Sequence, residues 1–137
     1  MAIKHDLRAY LLTRSAVTDL VATRIYCGLS PQGTTLPYVV INQIDGGDTS
    51  LLSGPGVWGQ PTLQVSIWYP GKAGDVGAAT IAAALKAELH GQAGTWNGTR
   101  ICECELTGER DLPNPDPLGG EAHWYHVAQE YRVLRGI

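Results

Sequence analysis

The sequence predicts an α+β fold: a mostly antiparallel sheet with helices packed on one face. Three observations carry that reading. Residues 3–14 and 75–90 repeat apolar side chains at helical spacing. Residues 38–44, 63–69 and 123–134 are β-branched, aromatic or alternating, as strands are. Clusters of Gly, Pro, Asn and Asp punctuate the segments between them. With 137 residues, the chain is expected to form a single domain, 1–137, because one core typically serves about 100–200 residues.

The elements follow in order. Ile3, Leu7, Tyr10 and Leu11 fall at i, i+4, i+7 and i+8, one stripe of a first helix. Ser15 reads as the N-cap of a shorter helix in which Val17, Leu20 and Val21 repeat the spacing. Ile25-Tyr26 begins a short strand, and Pro31 and Pro37 bracket an exposed turn before the strand Tyr38 to Ile44. Residues 45–61 (Asp45-Gly46-Gly47-Asp48, Ser53-Gly54-Pro55-Gly56, Gly59, Pro61) read as a long loop or hairpin tip. Such a loop is expected to be poorly ordered in an isolated subunit and to order on docking.

Leu63, Val65, Ile67 and Tyr69 alternate with polar or outward residues in a half-buried strand ended by Pro70-Gly71. Asp75 is placed to cap the longest helix, which stops near His90 with Gly91 as its C-cap. Its apolar stripe is Ala78, Ile81, Ala82, Leu85 and Leu89. Thr95-Trp96, the turn Asn97-Gly98 and Thr99 to Leu106 form a hairpin, since Asn-Gly tolerates positive φ at both positions. Residues 108–122, with Pro113, Pro115 and Pro117, read as a second irregular loop before the last strand.

Composition excludes several function classes. The net charge is −3 with no basic cluster, so there is no electrostatic footprint for nucleic acid. Trp68 and Tyr69 therefore read as core residues rather than base-stacking platforms. The longest purely apolar run, Ile81 to Leu85, is too short to span a bilayer. Lys4, Asp6 and Arg8 put charge where a signal peptide would be apolar. Three cysteines, an odd number, fit reduced thiols and a cytosolic site of synthesis rather than a disulfide framework.

Motifs with chemical meaning fail on context. Gly54-Pro55-Gly56-Val57-Trp58-Gly59 spells G-x-G-x-x-G, but it runs into Gln60-Pro61 and a strand, not the helix whose N-terminus would hold a pyrophosphate. Cys102 and Cys104 are expected on one strand face, whereas His123 and His126 point to opposite faces, so no four ligands converge on a metal. Glu103 and Glu105 share a face, and two carboxylates at that spacing could act as an acid–base pair given a cleft and one raised pKa, but they read as a solvated face or a subunit contact. No catalytic residue, cofactor or metal site is expected.

The long helix carries one further signal. Opposite its core stripe lie Val76, Thr80, Ala83 and Ala87, where a helix facing only water usually carries Lys and Glu. Small residues let another backbone approach, so these four are candidates for a contact with a neighbouring subunit or a long loop; a wet face that carries alanine because it is the best helix former is the other reading.

Read together, Leu7 to Leu12, Val21 to Tyr26, the stretch Pro31 to Val40, Gln64-Val65-Ser66-Ile67-Trp68, a helix ending at Leu89 and the closing Tyr131-Arg132-Val133 resemble the phage tail-completion proteins, or tail terminators. The resemblance covers nearly the whole chain; the glycine-rich 54–59 and the proline-rich 112–120 depart from it. It implies a structural, non-enzymatic virion protein at the head-proximal end of the tail, assembled in the host cytoplasm. Its subunits would form a homo-oligomeric, six-fold ring on the tail tube protein and meet a head or neck connector protein, while DNA passes through without specific binding. Two alternatives stay open: a neck or head-completion subunit, and a small-molecule-binding module that uses 45–61 as a lid.

Overall fold

In the computed structural model, the chain folds as two short helices, five strands, a long helix and three further strands. The structure describes residues 3–28, 37–45, 48–51, 54–59, 61–70, 74–114 and 124–135; of these, 45, 48–51, 54–59, 70, 74–76, 111–114, 124, 125 and 135 are described by backbone alone.

Helix α1 spans Ile3–Leu11 and buries Ile3, Leu7 and Leu11, the stripe that its sequence spacing predicts. Helix α2, Ser15–Val21, buries Val17 and Val21. Its N-cap is Arg14 rather than Ser15, and no side chain caps it. At its other end, Ala22 sits at φ 55 and ψ −128, and Arg24 N–H donates to Val21 O at 3.0 Å. That is a type II′ turn with alanine in the position that favours glycine.

The strands are β1 (Ile25–Cys27), β2 (Tyr38–Asp45), β3 (Asp48–Leu51), β4 (Gly54–Gly59), β5 (Thr62–Pro70), β6 (Gln92–Trp96), β7 (Thr99–Asn114) and β8 (Trp124–Arg135). All eight belong to one sheet, ordered β1-β2-β5-β8-β4-β3 along one path, with β7 paired to both β8 and β6. Among the described residues only β1 and β2 run parallel; every other pairing is antiparallel. The mostly antiparallel sheet read from the sequence is present.

Of the two readings of 45–61, long loop or hairpin tip, the described residues form the hairpin. β3 and β4 pair with each other, Leu51 opposite Gly54 and Asp48 opposite Gly59, and so prolong the β2–β5 hairpin beyond its last pair, Asp45 with Thr62. Beyond the single contact of Gly59 with Arg135, the described part of this arm pairs only with itself. The lid of the binding-module alternative is therefore a two-stranded arm, and the G-x-G-x-x-G string is strand β4. Likewise β7 runs to Asn114 in register with Trp124, so Leu106 is not its end and Pro113 lies within it. Residues 115–123, His123 among them, lie outside the described set, as does the whole of Pro31 to Leu36. Periodicity fails here because long paired ribbons tolerate glycine and proline where an edge is unpaired.

Helix α3 is Gly74–Leu89. Ala78, Ile81, Ala82, Leu85 and Leu89 are buried, and the helix lies against β5, β8, β7 and α2. Gly91 closes it at φ 73 and donates its N–H to Cys104 O at 2.7 Å, tying the helix end to β7. A side chain at Gly77 would collide with the ring of Tyr69 on β5, so glycine is what lets the helix come this close. α1 lies against β1, β2 and β6. Residues from all three helices, together with Val39, Ile41, Leu63, Val65, Ile67, Val127 and Tyr131, form one buried cluster.

One polar network crosses that core. Gln129 is fully buried; its Nε2 donates to Ala82 O at 3.0 Å and to Glu109 Oε2 at 3.2 Å, and its Oε1 accepts from Tyr131 Oη at 2.9 Å. Every buried atom of that amide has a partner, which is what makes a polar group tolerable there.

Candidate interaction surfaces

The exposed side of α3 carries three of the four small residues singled out by the helical spacing. Thr80, Ala83 and Ala87 are exposed; Val76 is in the helix, with its side chain outside the described set. Lys86 is exposed, whereas Glu88 at the flank is half-buried and accepts from Arg14 Nε at 2.7 Å.

A second surface was not legible in advance. On β2, β5 and β8, the register sets Tyr38 opposite Trp68 and Trp68 opposite His126. Strand alternation turns these three away from the core residues Val39, Ile67 and Val127. Their rings stack: Tyr38 on Trp68 with centroids 6.4 Å apart, and Trp68 on His126 at 4.0 Å and 12°. Tyr26 of β1 meets Tyr38 edge-on at 6.2 Å. The four half-buried rings make a row across β1, β2, β5 and β8, outside the core cluster. His126 Nε2 is buried without a hydrogen-bond partner, and burial lowers the imidazole pKa. Trp68 thus belongs to this row, not to the core that its sequence context suggested.

The remaining candidates do not converge. Glu105 accepts from Arg132 Nη2 at 2.7 Å, with both side chains about half exposed. Glu103, Glu105, Arg132 and Leu134 line a depression of about 150 Å³, below the roughly 300 Å³ at which ligand pockets begin. Cys102 and Cys104 are not equivalent: a bulge between Ile101 and Glu103 breaks the alternation, so that Ile101 and Cys104 are buried and Cys102 is half-buried. Burial pushes the Cys104 thiol up to about 12. Cys27 donates to Lys4 O at 3.3 Å, and burial raises its pKa against the lowering effect of Arg8 and Lys4. Among the described residues, no three His, Cys, Asp or Glu side chains are grouped to hold a metal. No described helix is long and apolar enough to cross a membrane.

The family model for tail completion protein gp17 matches residues 5–135. The chain belongs to that family. A tail completion protein is a structural component of the virion tail. The fold is similar to that of a chain in the virion of a native gene transfer agent particle, at TM-score 0.64 and 22% identity over 97% of this chain and 92% of that one. A second solved protein matches at TM-score 0.52 and 16% identity, over 95% of this chain and 94% of the other. No curated protein matches the sequence.

Proposed function

We propose that this tail completion protein is the tail terminator of a phage or phage-like particle. Its subunits form a six-fold ring that ends growth of the tail tube at the head-proximal side and receives the neck. The observation that carries this is the family match, which runs from residue 5 to residue 135. No catalysis is involved; the working free energy is that of subunit contacts.

In this reading the chain is one domain, with α1 toward β1 and β2 and α3 over β5 and β8 on one face of the sheet. The pooling of all three helices into a single core cluster supports it. The tail tube protein and a neck connector are the partners, and DNA crosses the ring without specific binding, which a net charge of −3 permits. The exposed side of α3, Val76, Thr80, Ala83 and Ala87, meets a neighbouring subunit.

Native mass spectrometry, with electron microscopy of the protein mixed with tail tubes, tests the function. Hexamers, or rings at one end of each tube, are the expected result. A chain that stays monomeric and binds neither tube nor neck overturns it. For the α3 face, Ala83→Glu should block assembly while leaving the subunit folded, because a carboxylate in a packed contact costs several kcal/mol. Unchanged assembly removes that face from the interface.

A further inference from the structure

We propose that Asn97 is a site of spontaneous deamidation, and that the reaction unfastens the β6–β7 turn from helix α1. The reactants are the Asn97 side-chain amide, the backbone nitrogen of Gly98 and water.

The chain places one asparagine where this chemistry is open. Asn114 precedes Pro115, whose ring nitrogen has no hydrogen to give up. Asn42 precedes Gln43 and lies inside β2, paired with Gln64 of β5. Asn97 precedes Gly98, which has no Cβ to shield its nitrogen. These two residues are exposed, and they form the loop between Trp96 and Thr99, which pair across β6 and β7.

The fold holds the reacting amide loosely. Asn97 Nδ2 reaches Asp6 Oδ1 at 3.4 Å, long for a hydrogen bond. Thr99 Oγ1 donates to Asp6 Oδ2 at 2.7 Å and fastens the turn independently. Turning the amide towards Gly98 therefore gives up one long contact.

Gly98 N then attacks Asn97 Cγ. The N–Cγ bond forms, the Cγ–Nδ2 bond breaks, and ammonia leaves with the proton that Gly98 N loses. Water opens the resulting succinimide at either carbonyl, leaving aspartate or isoaspartate at position 97. No group is oxidised or reduced.

Either product replaces a donor facing Asp6 by a carboxylate. Asp6 is only 3% exposed, so it loses a partner and meets a like charge where water screens little. Isoaspartate also lengthens the loop backbone. The tight turn that Asn97 and Gly98 make at φ 48 and 89 depends on that length.

The experiment incubates the full chain at mildly alkaline pH and follows it by peptide mass mapping, with isoaspartyl methyltransferase as the probe for isoaspartate. Conversion at position 97, with Asn42 and Asn114 intact, is expected in the folded protein. Conversion only in a urea-unfolded sample, or in neither, overturns the site. For the link to α1, Asn97→Asp should lower the melting temperature by a few degrees. Adding Asp6→Asn should recover most of that loss, because donor and carboxylate have then changed places. An Asn97→Asp variant that melts like the wild type, or a loss that Asp6→Asn leaves untouched, overturns the link.

Discussion

Thr99 Oγ1 donates to Asp6 Oδ2 at 2.7 Å, joining α1 to the β6–β7 turn across 93 residues of sequence. Asn97 Nδ2 reaches the other carboxylate oxygen at 3.4 Å, and Asp6 is only 3% exposed. The carboxylate thus holds the turn whose Asn97 and Gly98, at φ 48 and 89, allow its tight geometry. Asp6→Ala should cost about 1.5–3 kcal/mol, as hydrogen bonds to a charged group do. A double-mutant cycle with Thr99→Ala by denaturant titration measures the coupling. Strict additivity of the two single variants would show that the contact contributes nothing.

The turn after α2 carries strain that a glycine would release. Ala22 sits at φ 55 and ψ −128, a region that costs an L side chain of order 1 kcal/mol or more. Ala22→Gly should therefore raise the melting temperature, by a few degrees for a domain of this size. The gain is partly offset by the greater freedom of glycine in the unfolded chain. A lower melting temperature would contradict the strain.

His126 gives folding a pH dependence of known sign. Burial holds its pKa below the ordinary 6.5, so the unfolded chain takes up this proton first as pH falls. Stability is then lost from about pH 6.5 downward, until the folded state is protonated as well. Denaturation midpoints at pH 7.5 and 5.5 should drop more in the wild type than in His126→Phe. Equal drops would show that other groups carry the dependence.

The thiols should separate by reactivity. Cys104 is fully buried, with its pKa pushed up to about 12, so the thiolate that reacts is scarce. Brief alkylation of the folded protein at neutral pH, read by peptide mass mapping, should label Cys102 and spare Cys104. Denaturation should then open Cys104. Early labelling of Cys104 in folded protein would count against the packing of Ile101, Cys104 and Val133 in the core.

What the sequence made legible is periodicity. The stripes of α1 and α3 and the alternation of β5 and β8 were readable because burial on one side imposes spacing on neighbouring residues. Gly91 and Asn97-Gly98 were readable because positive φ restricts residue choice. Register was not. Nothing local says that Trp68 lies between Tyr38 and His126, so a residue assigned to the core proved to be part of an aromatic row. Nor can composition tell a glycine-rich loop from a glycine-rich ribbon, since what makes β4 a strand is its pairing with β3. The same blindness hid Gln129, whose three partners lie on α3, β7 and β8 itself.

The place of β8 in the sheet has a kinetic consequence. It is the last strand in sequence, yet it lies between β5 and β7 and pairs with both along nearly its whole length. Until it inserts, β1-β2-β5 and β6-β7 are two separate half-sheets with unpaired inner edges. Because these pairings join residues far apart in the chain, their closure is slow compared with helix formation. Insertion of β8 is thus the step that turns two half-sheets into one sheet and covers both inner edges at once.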